Sequence, residues 1–379
     1  MKIPFNKPYL TGKETFYIQD AVYSGHLSGN GKYTKKCQTF FEEKYKFKKT
    51  LLTTSCTDAL EMCAMLLDIK EGDEVIMPSY TFVSTALAFV RQGAKIVFVD
   101  SGKSQPNMDV DAIESLINNN TKAIVPVHYA GVAVEMDKIM QLADRYNLYV
   151  VEDAAQGVDS YYKNKPLGGV GHLGAFSFHE TKNVIAGEGG LLIINEDKFI
   201  ERAEILWEKG TNRASFFRGE INKYGWVDTG SSFLPSELTA AFLFAQLENI
   251  EEIQKKRISN WHHYYNGLIS LEKEGKLKLP VVTENATNNG HMFYIVCNSE
   301  NDRAQLIDFL KKKNIFAVFH YLSLHNSNYY SSIHGGRELP QSDYYSNHLL
   351  RLPMYYELEE LSIDKIVKTI KEFYSSKTT

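Results

Sequence analysis

Four short apolar runs recur between residues 73 and 157: DEVIMP (73–78), AKIVFVD (94–100), KAIVPVHYAG (122–131) and LYVVEDAAQG (148–157). Their hydrophobicity is nearly continuous rather than alternating, the pattern of strands buried on both faces of a parallel sheet. Segments 57–68, 81–92, 109–118 and 135–146 lie beside these runs and carry helical periodicity. That alternation predicts an α/β fold with a mainly parallel central sheet. GAFSFHE and GGLLIIN read as further strands, and a long helical tract begins near Ser236. From about residue 250 the order changes to a helix, the strand HMFYIVC, the helix DRAQLIDFLKKK, the strand AVFHY and a terminal helix. The expected division is a large α/β domain over 1–249, with an N-terminal arm, and a smaller α+β domain over 250–379.

A formal charge of -4 offers no attraction to nucleic acid or to an anionic membrane surface. Four cysteines (Cys37, Cys56, Cys63, Cys297) form neither a CxxC pair nor a metal-ligand spacing, so no metal is expected and a reduced compartment is. The start, MKIPFNKPYLTGKE, has no apolar signal region, and no stretch is long enough in apolar residues to span a bilayer. A cytoplasmic protein is the expectation, which makes the sequons at Asn119 and Asn285 chance matches.

Open parallel sheets bind ligands beyond the carboxyl ends of their strands. GVGHLG (169–174) matches the dinucleotide-binding glycine pattern literally, but a polar loop precedes it and a strand follows, which is the wrong context for an NAD site. Glu152 and Asp153 end an apolar strand, and alternation sends one of the two carboxylates into the cleft; a strand end in solvent or a helix cap is the plainer reading. In LLTTSCTDALEMCAMLL (51–67) an apolar run stops at small hydroxyl residues where a helix begins. Ser55, Cys56 and Thr57 there offer either an anion cradle or a plain cap. Cys56 has no paired base that would make it a nucleophile. Lys182 follows the apolar run LGAFSF, and a desolvated lysine amine loses its proton readily and attacks carbonyls. Gly187, Gly189 and Gly190 beyond it allow close backbone approach to a bound ring. An anion cradle, a carboxylate for a cationic nitrogen and an amine for an aldehyde together match the three handles of pyridoxal phosphate.

The stretches TSCTDALEMC, GDEVIMPSYTFVST, VPVHYAG, VVEDAAQG, GAFSFHETKN, GEGG and SELTAA, in order from residue 53 to about 241, resemble the DegT/StrS-type nucleotide-sugar aminotransferases, of fold type I among pyridoxal phosphate enzymes. The resemblance looks closest to bacterial transaminases that make dTDP-4-amino-4,6-dideoxyhexoses. Position by position, Lys182 resembles the lysine that holds the cofactor's aldehyde, Asp153 the partner of its pyridinium nitrogen, and Gln156 the residue bonded to its ring oxygen. Cys56 and Thr57, with Ser177, resemble the phosphate cradle. Phe82 resembles the aromatic ring stacked on the pyridine face, with core packing as the alternative.

Two stretches depart from the family pattern. GSSFLPS (230–236) stands where many members carry an Asn-containing GxNxRMS segment that reaches a neighbouring subunit's phosphate, so Ser232 occupies the Asn position and Leu234 the Arg position. HETKN differs from many relatives before the lysine, so His179 and Glu180 either face substrate or fill space. In KGTNRASFFRGEINKYGW (209–226), some of Lys209, Arg213, Arg218 and Lys223 are candidates to grip a nucleotide diphosphate, against a plain solvated loop. His128 and His320, the latter in FHYLSLH (319–325), are further candidate substrate contacts, with core packing open for His128.

The resemblance implies transfer of an amino group from L-glutamate to C4 of a dTDP-4-keto-6-deoxyhexose, giving a gluco or galacto amino sugar for surface polysaccharide such as the O-antigen of lipopolysaccharide. It also implies a homodimer with shared active sites. A 3-keto substrate and a cofactor-binding regulator on the same scaffold are the alternatives; related dehydratases carry histidine in place of the lysine, which Lys182 disfavours.

Overall fold

The computed structural model describes residues 2–377. Helices α1 (Glu14–Tyr23) and α2 (Lys32–Tyr45) lead into β1 (Lys49–Thr53), a strand that the hydroxyl-rich end of LLTTS hides in the sequence. Then come α3 (Cys56–Leu66), β2 (Glu74–Pro78), α4 (Val83–Val90), β3 (Lys95–Val99), β4 (Thr121–Ile124), α5 (Met136–Tyr146) and β5 (Tyr149–Asp153). After a two-residue hairpin, β6 (Tyr161–Tyr162) and β7 (Lys165–Pro166), follow β8 (Leu173–Ser177) and β9 (Gly190–Ile194). The sheet order is β1-β9-β8-β5-β4-β2-β3. Pairings from β8 to β3 are parallel, while β9 runs antiparallel to β8 and β1. The mainly parallel sheet that the apolar runs predict is therefore present.

Successive residues of each strand feed two different cores, which is why the runs lack polar alternation. Leu52, Ile76, Val150 and Ile193 pack with Phe41 of α2 and Ile139 of α5 on one face. Their neighbours Leu51, Val75, Val151 and Leu192 pack with Leu60 of α3 and Phe89 of α4 on the other. Each fully buried aliphatic side chain contributes about 1.5–3 kcal/mol relative to exposure, so a polar residue mid-strand here would be costly.

One expected helix differs from the sequence reading. Segment 109–118 forms two 3-10 turns, Val110–Ala112 and Glu114–Leu116, instead of a helix. Asp109 accepts from the Asp111 N–H at one end (3.1 Å) and Asn118 from the Asn120 N–H at the other (2.8 Å), leaving too few residues to offset helix nucleation. The tract from Ser236 is two helices, α8 (Glu237–Leu247) and α9 (Ile250–Lys273), with α6 (Ile200–Trp207) and α7 (Arg213–Phe217) before them. Asn249 breaks the tract: its side chain donates back to the Ala245 carbonyl (2.9 Å) while its own backbone leaves the helical region.

A second sheet, of order β10-β11-β13-β12, is antiparallel and built from β10 (Leu277–Lys278), β11 (Phe293–Cys297), β12 (Val318–Phe319) and β13 (Leu349–Leu352). It packs with α9, α10 (Glu300–Lys312) and α13 (Glu360–Ser376); α11 (Ser331–His334) and α12 (Pro340–His348) lie in its connections. Ile3 bridges to Ile315 and sits in this second core, so the start of the N-terminal arm packs with the smaller sheet. Conversely, Ile250 and Ile253 of α9 belong to the core of the larger one. Among the described residues no helix is long and apolar enough to cross a membrane.

Candidate active site

A cavity of about 570 Å³ opens beyond the carboxyl ends of the parallel strands, where β5 ends at Asp153 and β8 at Ser177. Lys182 reaches it from the loop after β8, in a turn closed by its N–H to the His179 carbonyl (2.9 Å). Burial pulls the Lys182 ammonium down to about 8, with the Arg351 guanidinium adding to the fall and the nearby Cys56 and Asp153 opposing it. The amine is therefore partly uncharged near neutral pH.

Asp153 points into the cavity, nine-tenths or more buried. Its Oδ2 accepts from the Thr85 hydroxyl (2.6 Å), itself bonded to Thr81 (2.8 Å), and its Oδ1 from the Ala155 N–H (3.1 Å). These bonds fix the carboxylate without neutralising it, so it remains an acceptor for a cationic ligand nitrogen.

The third wall is the start of α3. Ser55 caps the helix by accepting from the Asp58 N–H (3.0 Å), and Ala59 makes the first helical bond, to the Ser55 carbonyl (3.2 Å). The N–H groups of Cys56 and Thr57 precede that first bond and meet the cavity at the positive end of an eleven-residue helix. The Thr57 hydroxyl, which donates to Ser84 (2.8 Å), and Ser177 stand beside them. Gly190 passes so close that a Cβ there would lie 2.3 Å from the Ser55 carbonyl and 2.4 Å from the Cys56 nitrogen. Burial, with Asp153 adding to it, pushes the Cys56 thiol up, so it stays protonated rather than acting as a nucleophile.

Glu152 faces the opposite way and explains the glycine-rich decoy. It is fully buried and accepts from the N–H groups of Gly168 (2.9 Å), Val170 (2.7 Å) and Gly171 (2.6 Å). The GVGHLG turn is thus an anion cradle for the protein's own carboxylate. His128 completes it, 2.8 Å from Glu152, while its Nδ1 accepts from the Val134 N–H (3.3 Å). The proton therefore sits on Nε2 and is donated to Glu152. His128 is fully buried and not a cavity residue, so of its two readings, substrate contact and core packing, the structure places it in the core.

Other expected residues divide cleanly. Gln156 lines the cavity, accepting from the Ala130 N–H (2.6 Å) and donating to the Tyr321 hydroxyl (3.2 Å). Phe82 lines it too and is 56% exposed, so it is not a core residue. His179, bonded to Thr181 (2.9 Å), and His320, bonded to the Tyr129 hydroxyl (3.0 Å), are also at the cavity; Glu180 is exposed and does not line it. Arg218 is engaged by Glu204 and Glu220 at 2.7 Å each, outside the cavity. Lys209 and Arg213 line a separate surface cleft with His26 and Lys35, because segment 209–218 folds against α6. Ser232 is exposed, bridged through its backbone to Glu208. The basic set and Ser232 therefore do not meet this chain's own cavity.

Sequence reasoning missed Thr85, Tyr321, His291 and Arg351. Arg351 alone left a signal, as a charge in the middle of the apolar run LLRLPM. Among the described residues no group of three His, Cys, Asp or Glu side chains is placed to hold a metal ion.

The strand order, with an amine, a carboxylate and a helix start converging on one cavity, defines a pyridoxal phosphate-dependent transferase of fold type I. The fold matches the aminotransferase of Psychrobacter cryohalolentis with a TM-score of 0.93, at 26% identity over 98% of this chain and 99% of that one. It matches S. venezuelae DesV with a TM-score of 0.90, at 27% identity over 98% of each. In sequence it is 31% identical to the GDP-perosamine synthase of Escherichia coli O157:H7 over 379 residues, covering 99% of both. Residues 8–371 match the DegT/DnrJ/EryC1/StrS aminotransferase family. The chain belongs to that family of pyridoxal phosphate-dependent sugar aminotransferases.

Proposed function

We propose that the protein moves the amino group of L-glutamate to C4 of a dTDP-4-keto-6-deoxyhexose, with pyridoxal phosphate held by Lys182. The observation that carries this reading is the convergence of Lys182, Asp153 and the α3 start, far apart in sequence, on one cavity. The donor set fits the cofactor. The N–H groups of Cys56 and Thr57, with the hydroxyls of Thr57 and Ser177, suit its phosphate. Asp153 suits its ring nitrogen, Gln156 its ring oxygen and Phe82 its ring face.

When bound, pyridoxal phosphate supplies an electron sink for the carbanion formed at the donor's Cα. The protein's residues do the rest. Asp153 keeps the ring nitrogen protonated, held in place by Thr85 and the Ala155 N–H. The uncharged Lys182 amine would hold the cofactor at its aldehyde carbon, and when free of it would move a proton between the donor's Cα and the cofactor's C4′ as base and then acid. With the keto sugar in the cavity, Lys182 would move the proton in the opposite direction.

Two expectations follow directly. Because burial lowers the folded Lys182 to about 8 from its ordinary value, its nucleophilic fraction grows with pH up to about 8 and levels above it. The rate of pyridoxal phosphate capture by the cofactor-free protein, followed by absorbance, should show that profile; a plateau already complete at pH 6 would contradict it. Gly190→Ala should displace the Ser55–Cys56 backbone at a cost of about 1–3 kcal/mol. Cofactor retention in dialysis should then fall by about tenfold or more.

The sugar and nucleotide assignments rest on the motif resemblance. A relative named GDP-perosamine synthase makes GDP sugars the comparison to include. The test is NMR of the product formed from L-glutamate and dTDP-4-keto-6-deoxyglucose, with the GDP counterpart alongside. An amine on C4 of the dTDP sugar supports the reading, with an equatorial amine meaning gluco and an axial one galacto. No amino sugar from the dTDP 4-keto substrate, or turnover of the GDP sugar alone, would overturn the substrate assignment. We further propose a cytoplasmic homodimer in which Ser232, Lys209 and Arg213, outside their own cavity, serve that of a second copy. Residues 1–249 and 250–379 act as two domains closing on the cofactor, a reading supported by the cavity's drawing Lys182 from one and Arg351 from the other.

A further inference from the structure

His291 stands just before β11 and lines the cavity, nine-tenths or more buried. All its polar atoms but one are engaged within the protein. Its N–H donates to Asn289 Oδ1 (3.0 Å), its carbonyl accepts from Arg257 (2.7 Å), and its Nδ1 lies 3.0 Å from Asn183 Oδ1. Nε2 alone has no partner among the described residues. A chain of amides decides which ring nitrogen carries the proton. A carbonyl only accepts, so Gln254 turns its Nε2 to the Val158 carbonyl (3.2 Å), which leaves its Oε1 for Asn183 Nδ2 (2.7 Å). Asn183 Nδ2 also donates to the Asn289 carbonyl (2.9 Å). Asn183 therefore faces His291 with an acceptor, so Nδ1 holds the ring's proton and Nε2 is a bare lone pair. Burial keeps the ring neutral, and Lys182, Arg351, Arg257 and His320 all oppose a second proton.

Asn183 follows Lys182 directly in the chain, so one loop supplies both the reactive amine and the clamp on the ring beside it. Among the charges acting on that ring, Lys182 has the largest effect. The other groups whose charge reaches Lys182 are poor acceptors for it. The Cys56 thiol stays protonated, Asp153 is engaged by Thr85 and the Ala155 N–H, and Arg351 only donates. At the cavity's edge, Glu188 lies 3.6 Å from His179. Resting on the functional reading above, we propose that His291 is a positioning residue whose Nε2 accepts an N–H of the free Lys182 amine and so aims that amine's lone pair. An amine at the end of a flexible stem points its lone pair anywhere unless one of its N–H bonds is held. The bond to Nε2 strengthens when the amine takes up a proton, because its donor becomes cationic. It therefore raises the basicity of Lys182 and offsets part of the effect of burial. Removing the acceptor lowers the pH at which Lys182 sheds its proton. Merely loosening the cavity does the reverse, since water stabilises the ammonium.

The test is the pH profile of pyridoxal phosphate capture by the cofactor-free, full-length protein, in wild type, His291→Asn and His291→Gln. Asparagine keeps a donor for Asn183 and has nothing at the Nε2 position, whereas glutamine reaches that position with an amide oxygen. The midpoint, about 8 in wild type, should fall by about one pH unit in His291→Asn and return at least halfway in His291→Gln. In the loaded enzyme, kcat should fall by about tenfold in His291→Asn while KM for L-glutamate stays within about twofold. A midpoint unmoved or raised in His291→Asn, one lowered equally in both variants, or a loss confined to KM overturns the assignment. If His291→Asn fails to fold, nitrogen NMR of wild type labelled with [15N]histidine decides it. A neutral His291 ring with its proton on Nδ1 supports the assignment, and a proton on Nε2 overturns it. A wild type that captures no pyridoxal phosphate at any pH overturns the functional reading and this assignment together. Normal capture with an unmoved His291→Asn midpoint overturns this assignment alone.

Discussion

Lys182→Ala abolishes covalent capture of pyridoxal phosphate and lowers turnover by roughly a thousandfold or more. The size follows from two losses at one atom. The amine that reacts with the aldehyde is gone, and so is the group that moves the proton between Cα and C4′. The cradle at α3 and the Asp153 carboxylate are untouched by the change, so the variant should still bind pyridoxal phosphate reversibly. Borohydride treatment followed by peptide mass spectrometry should find the cofactor fixed to Lys182 in wild type and to no lysine in the variant. Turnover within tenfold of wild type would reject the role given to this lysine.

Asp153→Asn is the second large effect. The substitution preserves shape and leaves a carbonyl oxygen for the Ala155 N–H, and the Thr85 hydroxyl can turn to accept from the new amide. It removes the charge that keeps the ring nitrogen protonated. Binding should change little, while kcat should fall by about a hundred- to a thousandfold, the usual cost of losing a preorganised charge at a developing one. A kcat near wild type, with normal cofactor content, would show that the ring nitrogen is not served by Asp153.

The parallel sheet and most of this site were legible in the sequence because each depends on local pattern. Doubly buried strands read as unbroken apolar runs, and Ser55 marked a helix start by its hydroxyl. Alternation alone showed Asp153 as one of a pair facing opposite ways, and the family resemblance singled it out; in the structure the choice follows from the turn after Leu167 closing on Glu152. His128, left open between a substrate contact and core packing, takes the core place for the same reason, since its partner Glu152 is distant in sequence. Thr85 and Tyr321 left no mark, being ordinary residues made functional only by folding. In the basic segment 209–223, Arg218 pairs with Glu204 and Glu220 of its own chain, partners that its exposed charge did not reveal.

The most direct measurement is the absorbance of the purified, pyridoxal phosphate-loaded enzyme through one full cycle. L-Glutamate alone should bleach the yellow, lysine-bound form and release one equivalent of 2-oxoglutarate, and dTDP-4-keto-6-deoxyglucose added next should restore it. A protein that L-glutamate leaves yellow, or that no keto sugar returns to its starting spectrum, would contradict the account.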